Sequence, residues 1–265
     1  MPVSDDAFLG GALRILQPRQ GYRAGLDAVF LAASVTGAPG EAFTALDVGA
    51  GVGTAGLCLA WRCREARVVL IEREAELVAL AQDNIARNRL SDRVRVVQAD
   101  VTGAATAELA ALGLAENGFD CVIANPPYHA EGAGTRAHSD LKARAHAMPD
   151  DGLEGWGRFM ARMTRAGGEA VLVHKADALP ELLNAVAHRF GALCVQPLHP
   201  RAGEIANRVI VSGRKGSRAP LRIAPGRVLH EADNRATRGA DGVLRLGLSA
   251  ALAYGDPARD ALAEA

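Results

Sequence analysis

Aromatic residues are scarce in this sequence, at 4% of 265 residues, and cysteine is rarer still, with 4 in all. Cys58, Cys63, Cys121 and Cys194 form no Cys-x-x-Cys pair and have no histidine nearby at zinc-ligand spacing, which argues for buried free thiols and against a zinc site. No metal is expected. No stretch approaches the roughly 20 apolar residues that cross a bilayer. The opening MPVSDDAFLGG carries acidic charge and no long apolar run, so neither a membrane span nor a leader is expected. The reading is a soluble protein that stays in the cytoplasm. Net charge is lacking too: the formal charge is +0 and the pI about 7.1. No global field draws the chain to nucleic acid, and an RNA partner must be held by a local patch. With 49% hydrophobic and 23% charged residues, usage is ordinary and globular with a lean to Ala and Gly, which excludes disorder and fibre.

What is present is an alternation of short β-rich apolar runs and longer helical patterns from residue 44 to about 211, the signature of a parallel sheet covered by helices. The runs are 44–48 (TALDV), 67–72 (RVVLIE), 93–98 (RVRVVQ), 119–125 (FDCVIAN), 169–175 (EAVLVHK), 192–198 (ALCVQPL) and 207–213 (NRVIVSG). Between them, segment 73–89 sets Leu77, Leu80, Ala81 and Ile85 at helical spacing with a polar outer face. The last two runs are joined by a loop too short for a parallel crossover, so they should pair antiparallel. The predicted fold is α/β: a Rossmann-like, seven-stranded, mostly parallel sheet with an antiparallel last strand and helices on both faces. No repeat or Pro-rich linker interrupts 44–213. Residues 1–265 therefore read as a single domain, with a core at 44–213, an N-terminal cofactor-capping extension at 1–43 and a basic C-terminal extension at 214–265.

The first strand runs into Asp47-Val48-Gly49-Ala50-Gly51-Val52-Gly53 and then a helix. Alternate glycines tolerate positive φ and carry no Cβ, so backbone can approach a ligand at the carboxyl end of the sheet. The same glycines would also serve a ligand-free turn. A dinucleotide fingerprint needs its third glycine at position 54, which is Thr54; the Gly-x-Gly-x-Gly spacing of Gly49, Gly51 and Gly53 is similar to that of methyltransferases. Glu72 ends the second strand, where a carboxylate can accept from both ribose hydroxyls of an adenosine moiety. Asp100 closes the third, where an acid can hold the adenine amine or cap a helix.

Asn125-Pro126-Pro127-Tyr128 follows the fourth strand at that same edge. Proline at 126 holds Asn125 extended, and two prolines donate no backbone hydrogen bonds, so nearby carbonyls are available to a cleft. An amino group on a heteroaromatic ring or amide is a poor nucleophile because its lone pair is delocalised. If the Asn125 side-chain oxygen and the Pro126 carbonyl each accept one N–H, the nitrogen is aimed at a methyl donor without a strong base. Tyr128 offers a flat face for stacking. The expected activity is methylation of a planar nitrogen by S-adenosylmethionine, with Asn125, Pro126, Pro127 and Tyr128 catalytic.

GYRAGLDAVFLAA (21–33), LDVGAGVGTAGL (46–57), IERE (71–74), ADV (99–101) and NPPY (125–128) together resemble the bacterial tRNA1(Val) adenine-N6-methyltransferase family, within the class I small-domain methyltransferases. The resemblance spans roughly residues 8–213. It implies transfer to N6 of the adenosine 3′ of the anticodon, an anticodon stem-loop as partner, and a cofactor contact at Asp27. Between 201 and 245 stand ten basic residues against four acidic ones, and Arg214, Lys215 and Arg218 are the densest cluster, a strip suited to RNA phosphates. Segment 132–146 reads as a substrate-gating lid or an irregular connection. The same tetrapeptide would serve an exocyclic amine of ribosomal RNA or a protein glutamine. From a different class, an NAD enzyme or a cofactor-binding module without catalysis would share the glycine loop.

Overall fold

The computed structural model describes residues 2–21, 23–36, 40–101, 103–130, 147–148 and 152–255. All seven expected strands form: β3 (Thr44–Val48), β4 (Arg67–Glu72), β5 (Val94–Gln98), β6 (Phe119–Ala124), β9 (Thr164–Lys175), β10 (Phe190–Arg201) and β11 (Arg208–Lys215). Ahead of them lie β1 (Val3–Phe8) and β2 (Leu13–Pro18), which pair antiparallel as a hairpin. β7 (His129–Ala130) and β8 (Ala147–Met148) form a two-residue pair, and β12 (Arg222–Ile223) and β13 (Arg227–His230) follow β11.

The main sheet runs β12-β10-β11-β9-β6-β3-β4-β5, with β13 also on β10. β11 lies antiparallel between β9 and β10, and β3 to β6 and β9 are mutually parallel. Its reversal has the expected cause: the turn 202–207 is too short to return the chain to the other end of the sheet. β6 is nearly continuous in buried apolar residues, as a strand covered on both faces must be.

The core is two clusters, one on each face. Helices α1 (Leu26–Ala33), α2 (Thr54–Arg62) and α3 (Ala75–Arg87) cover one face with the N-terminal hairpin. Helices α4 (Thr106–Ala111), α5 (Gly152–Met163) and α6 (Leu179–Val186) cover the other, α5 through Leu153, Trp156, Phe159, Met160 and Met163 on one stripe. Cys58, Cys63, Cys121 and Cys194 are buried free thiols.

Both extensions fold back onto the core. The C-terminal one adds β12 and β13 along the outer edge of β10, then α7 (Arg238–Leu244) and α8 (Ala250–Tyr254), capped by Thr237 accepting from the Ala240 N–H and Ser249 accepting from the Leu252 N–H. Arg227 is buried, donates to the Ala250 carbonyl and lies 4.8 Å from the centre of the Tyr254 ring. Among the described residues no helix is long and apolar enough to cross a membrane.

Candidate active site

The loop between β3 and α2 has Gly49, Gly51 and Gly53 at φ of 63°, 57° and 88°. Glycine is required there twice over. A Cβ on Gly49 would lie 2.4 Å from Trp156 Cη2, and one on Gly53 2.8 Å from Leu70 Cδ1. Buried side chains brace the loop from behind. Asp47 Oδ2 accepts from the Gly56 N–H at 2.8 Å. Glu72 Oε2 accepts from the Gly51 N–H at 2.9 Å, and its Oε1 accepts from the Arg73 and Glu74 N–H groups at 2.9 and 3.0 Å. Asn84 donates to the Val52 and Leu16 carbonyls, both at 3.0 Å, tying hairpin strand β2 to the loop.

Burial pushes the Asp47 carboxyl up to about 7, against the Gly56 hydrogen bond and with help from the Glu72 charge. Burial also raises Glu72, opposed by its three backbone donors. Asp100 stands exposed just beyond β5, at the same carboxyl edge. The loop fits the expected S-adenosylmethionine: its backbone stands at the carboxyl edge and buried polar atoms beside it are left for a ligand. Beside it, the Thr54 hydroxyl and Trp156 indole N–H are buried without hydrogen-bond partners among the described residues.

Asn125 to Tyr128 leave β6 at that edge, and a polar network gathers on them. The Tyr128 hydroxyl lies 2.7 Å from Asp27 Oδ2 and 3.0 Å from Asn125 Oδ1, and Arg208 Nε donates to the same Asp27 oxygen at 3.0 Å. The Arg208 guanidinium is 5.0 Å, and the Lys175 ammonium 5.8 Å, from the centre of the Tyr128 ring. His174, at the end of β9, meets that ring edge-on at 5.0 Å, with Nε2 3.5 Å from the Pro127 carbonyl. Burial lowers the His174 pKa, opposed by hydrogen bonds to the Pro127 and Lys175 backbone. A cavity of about 500 Å³ opens beside the network, lined by Arg23, Asp27, Asn125, Tyr128, Arg208 and, from the C-terminal extension, His230.

The structure thus brings Asp47, Gly49, Gly51, Gly53 and Glu72 together at one loop and Asn125 and Tyr128 together beside it. Pro126 is buried and Pro127 half-buried between them. Asp27, expected as a cofactor contact, sits against Tyr128 and Arg208 and lines the cavity.

The basic strip does not gather there. Arg214 and Lys215 end the antiparallel strand and so lie at the amino edge of the sheet, far from the tetrapeptide. Lys215 donates to Asn117 Oδ1 and to the Ala161 and Thr164 carbonyls, and Arg214 donates to the Gly167 carbonyl. Gly191, beside them on β10, packs against Ser217 and the backbone of Arg218. Of the other cations in the strip, Arg201, Arg208, Arg235 and Arg245 form ion pairs, and Arg227 is buried. Seven of the ten cations thus hold contacts within the fold, while Arg218, Arg222 and Arg238 are exposed. Segment 132–146 lies outside the described residues.

His174, Trp156 and Asn84 were not singled out by the sequence, and Arg208 was counted only in the basic strip. Its usable signal was a cation at the first residue of a strand that starts on the carboxyl edge.

Comparison with known proteins is consistent with this geometry. The sequence pattern described as the methyltransferase small domain matches residues 28–152. The chain is 30% identical over 176 residues to the tRNA1(Val) (adenine(37)-N6)-methyltransferase of Aeromonas hydrophila, covering 64% of this chain and 68% of that one. It is 27% identical over 177 residues to the enzyme of the same name from Glaesserella parasuis, covering 66% and 69%. Among solved structures, a predicted O-methyltransferase from Agrobacterium tumefaciens superposes with a TM-score of 0.68 at 33% identity, covering 82% of this chain and 94% of that one.

Proposed function

This chain belongs to the small-domain methyltransferases and takes its methyl group from S-adenosyl-L-methionine, and from that premise we propose that it methylates N6 of an adenine in tRNA, the adenosine 3′ of the anticodon. The observation that carries the reading is Asn125 at the carboxyl edge, next to the glycine loop and opening with Tyr128 on a cavity of about 500 Å³.

Bound S-adenosylmethionine supplies an electrophilic sulfonium methyl, which the backbone of 49–53 and Glu72 would hold. The chain's own part is to present the acceptor. The Asn125 amide oxygen and the Pro126 carbonyl accept the two hydrogens of an amino group, which draws its lone pair out of conjugation and toward the methyl carbon. The bound cofactor would supply the methyl carbon, its sulfur keeping the bonding pair. The positive charge growing on nitrogen strengthens both hydrogen bonds before one proton departs to water. Two acceptors match an amino group, whereas a hydroxyl has a single hydrogen to offer. Tyr128 gives the base a surface to stack on, and an unpaired anticodon-loop base reaches it at little unstacking cost.

The tRNA assignment is supported by the names of the relatives. The same acceptor pair would suit an amine in ribosomal RNA or a protein glutamine. Nucleoside mass spectrometry of tRNA and ribosomal RNA from cells with and without the gene separates these readings. Loss of N6-methyladenosine from one tRNA is the expected result. Loss from ribosomal RNA, or no change in any RNA, would overturn the assignment.

A further inference from the structure

The turn 202–207 between β10 and β11 carries Ile205, a large apolar side chain that is 90% exposed. Single apolar residues are ordinary on a protein surface. Three features set this one apart: its place, its backbone and its bracing.

β10 runs in the same direction as β9, so the end of β10 and the start of β11 both stand at the carboxyl edge. Pro200 on one arm of the turn, and Asn207 and Arg208 on the other, line the cavity together with Asn125 and Tyr128. Ile205 is separated from Arg208 by no more than about 11 Å of extended chain, and the Arg208 guanidinium lies 5.0 Å from the centre of the Tyr128 ring. The other large apolar residues exposed among the described ones, Leu221, Ile223, Leu246 and Leu252, belong to the C-terminal extension. A turn favours residues that tolerate positive φ or bond their own backbone, and isoleucine does neither. Gly203 supplies the left-handed position, at φ 78°. Nothing in the geometry of the turn calls for a branched apolar side chain at 205.

The backbone on either side is anchored. The Glu204 N–H donates to the Arg201 carbonyl at 3.2 Å, the Glu204 carbonyl is 2.8 Å from His199 Nδ1, and the Glu204 carboxylate pairs with Arg201 at 3.1 Å. Arg201 is tied in turn to Asn234 Oδ1 of the C-terminal extension. The Asn207 N–H donates to the Leu198 carbonyl at 3.2 Å. Ile205 is thus presented to solvent from a braced turn at the mouth of the cavity.

We propose that Ile205 is a wedge for the RNA acceptor: as a loop docks on the carboxyl edge, the side chain enters the base stack beside the target adenine and holds it open while the target occupies the cavity against Tyr128. The proposal rests on the tRNA-adenine reading above and adds to it how the acceptor is presented. A base whose amino group is to reach Asn125 must leave its stack, and its neighbour then loses an apolar contact. Isoleucine is among the side chains that can enter between bases and replace such a contact. Bracing matters because a wedge on a yielding turn would be pushed aside.

Fluorescence and kinetics on the full chain test this. The fluorescent probe is an anticodon stem-loop transcript with 2-aminopurine at the target position, whose emission is quenched while it stacks. At saturating protein, the wild type is expected to raise the emission severalfold, and Ile205→Ala and Ile205→Ser to lose most of that rise. An unchanged rise in both variants would overturn the proposal. In methyl transfer to the unmodified stem-loop, the same variants should lower kcat/KM about 10-fold, in line with one base-stacking interaction, and Ile205→Leu should retain most of the wild-type value. On the same sequence with abasic sites on both sides of the target, no stack remains to be opened, and the loss should shrink to less than about threefold. Equal losses on the two acceptors would make Ile205 a general contact and overturn the wedge. The melting temperature of Ile205→Ser should match the wild type, because the side chain is exposed. A clear fall would mean that the chain itself covers Ile205, and a wild-type dimer made monomeric by Ile205→Ser would assign the side chain to a second copy; either overturns the proposal. A wild-type protein that methylates no RNA removes the tRNA reading and the wedge with it, whereas an active wild type with unaffected variants removes the wedge alone.

Discussion

The two ends of the sheet use their charged and polar groups in opposite ways. At the amino edge they satisfy one another. Asp120 accepts from the Thr44 N–H and hydroxyl, both at 2.7 Å, and pairs with Arg165, while Glu169 accepts from the N–H and hydroxyl of Thr36. Lys215 caps the carbonyls of Ala161 and Thr164. Those contacts hold strand ends in register. At the carboxyl edge, Asp27, Asn125, Tyr128 and Arg208 share a network that fronts a cavity, and Thr54 and His174 each keep a buried polar atom without a partner among the described residues. Buried polar atoms left in that condition cost stability, and these two adjoin the glycine loop and the tetrapeptide, where a ligand is expected. Arg214 and Lys215, two of the three residues where charge is densest in the sequence, stand at the amino edge, away from this network.

The sharpest way to break the comparison is Asn125→Ala. Methyl transfer should fall by about 10²- to 10³-fold or more, as when one preorganised group that stabilises developing charge is removed. Cofactor affinity by calorimetry should be nearly unchanged. A collapse in cofactor affinity would mean that Asn125 faces the cofactor instead.

Asp47 comes next. Its folded-state pKa of about 7 lies above the ordinary aspartate value of 3.8, so between these the folded chain holds a proton that the unfolded chain has released. The associated stability is full below about pH 4, is lost as pH rises toward 7, and changes little beyond. Asp47→Asn keeps an oxygen for the Gly56 N–H and cannot ionise. It should flatten thermal stability between pH 4 and 7 and raise it at pH 8 by on the order of 4 kcal/mol. An unaltered pH profile would mean that the carboxylate is accommodated without cost.

The smallest effect belongs to the amino edge. Lys215→Met removes the donor to three oxygens and should cost about 1 kcal/mol of stability by denaturant titration. Methyl transfer per folded molecule and its salt dependence should stay as in the wild type. A fall in RNA affinity would return that edge to the binding surface and dissolve the contrast.

How much of this was legible follows the range of the interactions involved. The seven core strands, the reversal of the last and the Asn125–Tyr128 turn rest on runs of about six residues and one short loop. Their signals are local. The hairpin β1–β2 and the strands β12 and β13 carried no comparable pattern; β12 is two residues long and forms because β10 presents an open edge to it. A strand that owes its existence to its neighbour leaves little mark in its own sequence.

The candidate site divides in the same way. By itself the sequence determined the glycine loop and the tetrapeptide at the carboxyl edge, since positive φ, missing Cβ atoms and paired prolines act within a few residues of themselves. Only the tertiary structure decided what surrounds them. Asp27 reaches Tyr128 across 101 positions and Arg208 reaches Asp27 across 181, while Lys215, seven residues beyond Arg208 on the same strand, is carried to the opposite end of the sheet. The reason is geometric: a strand rises about 3.3 Å per residue, so eight residues separate the chemistry of one edge from the scaffolding of the other.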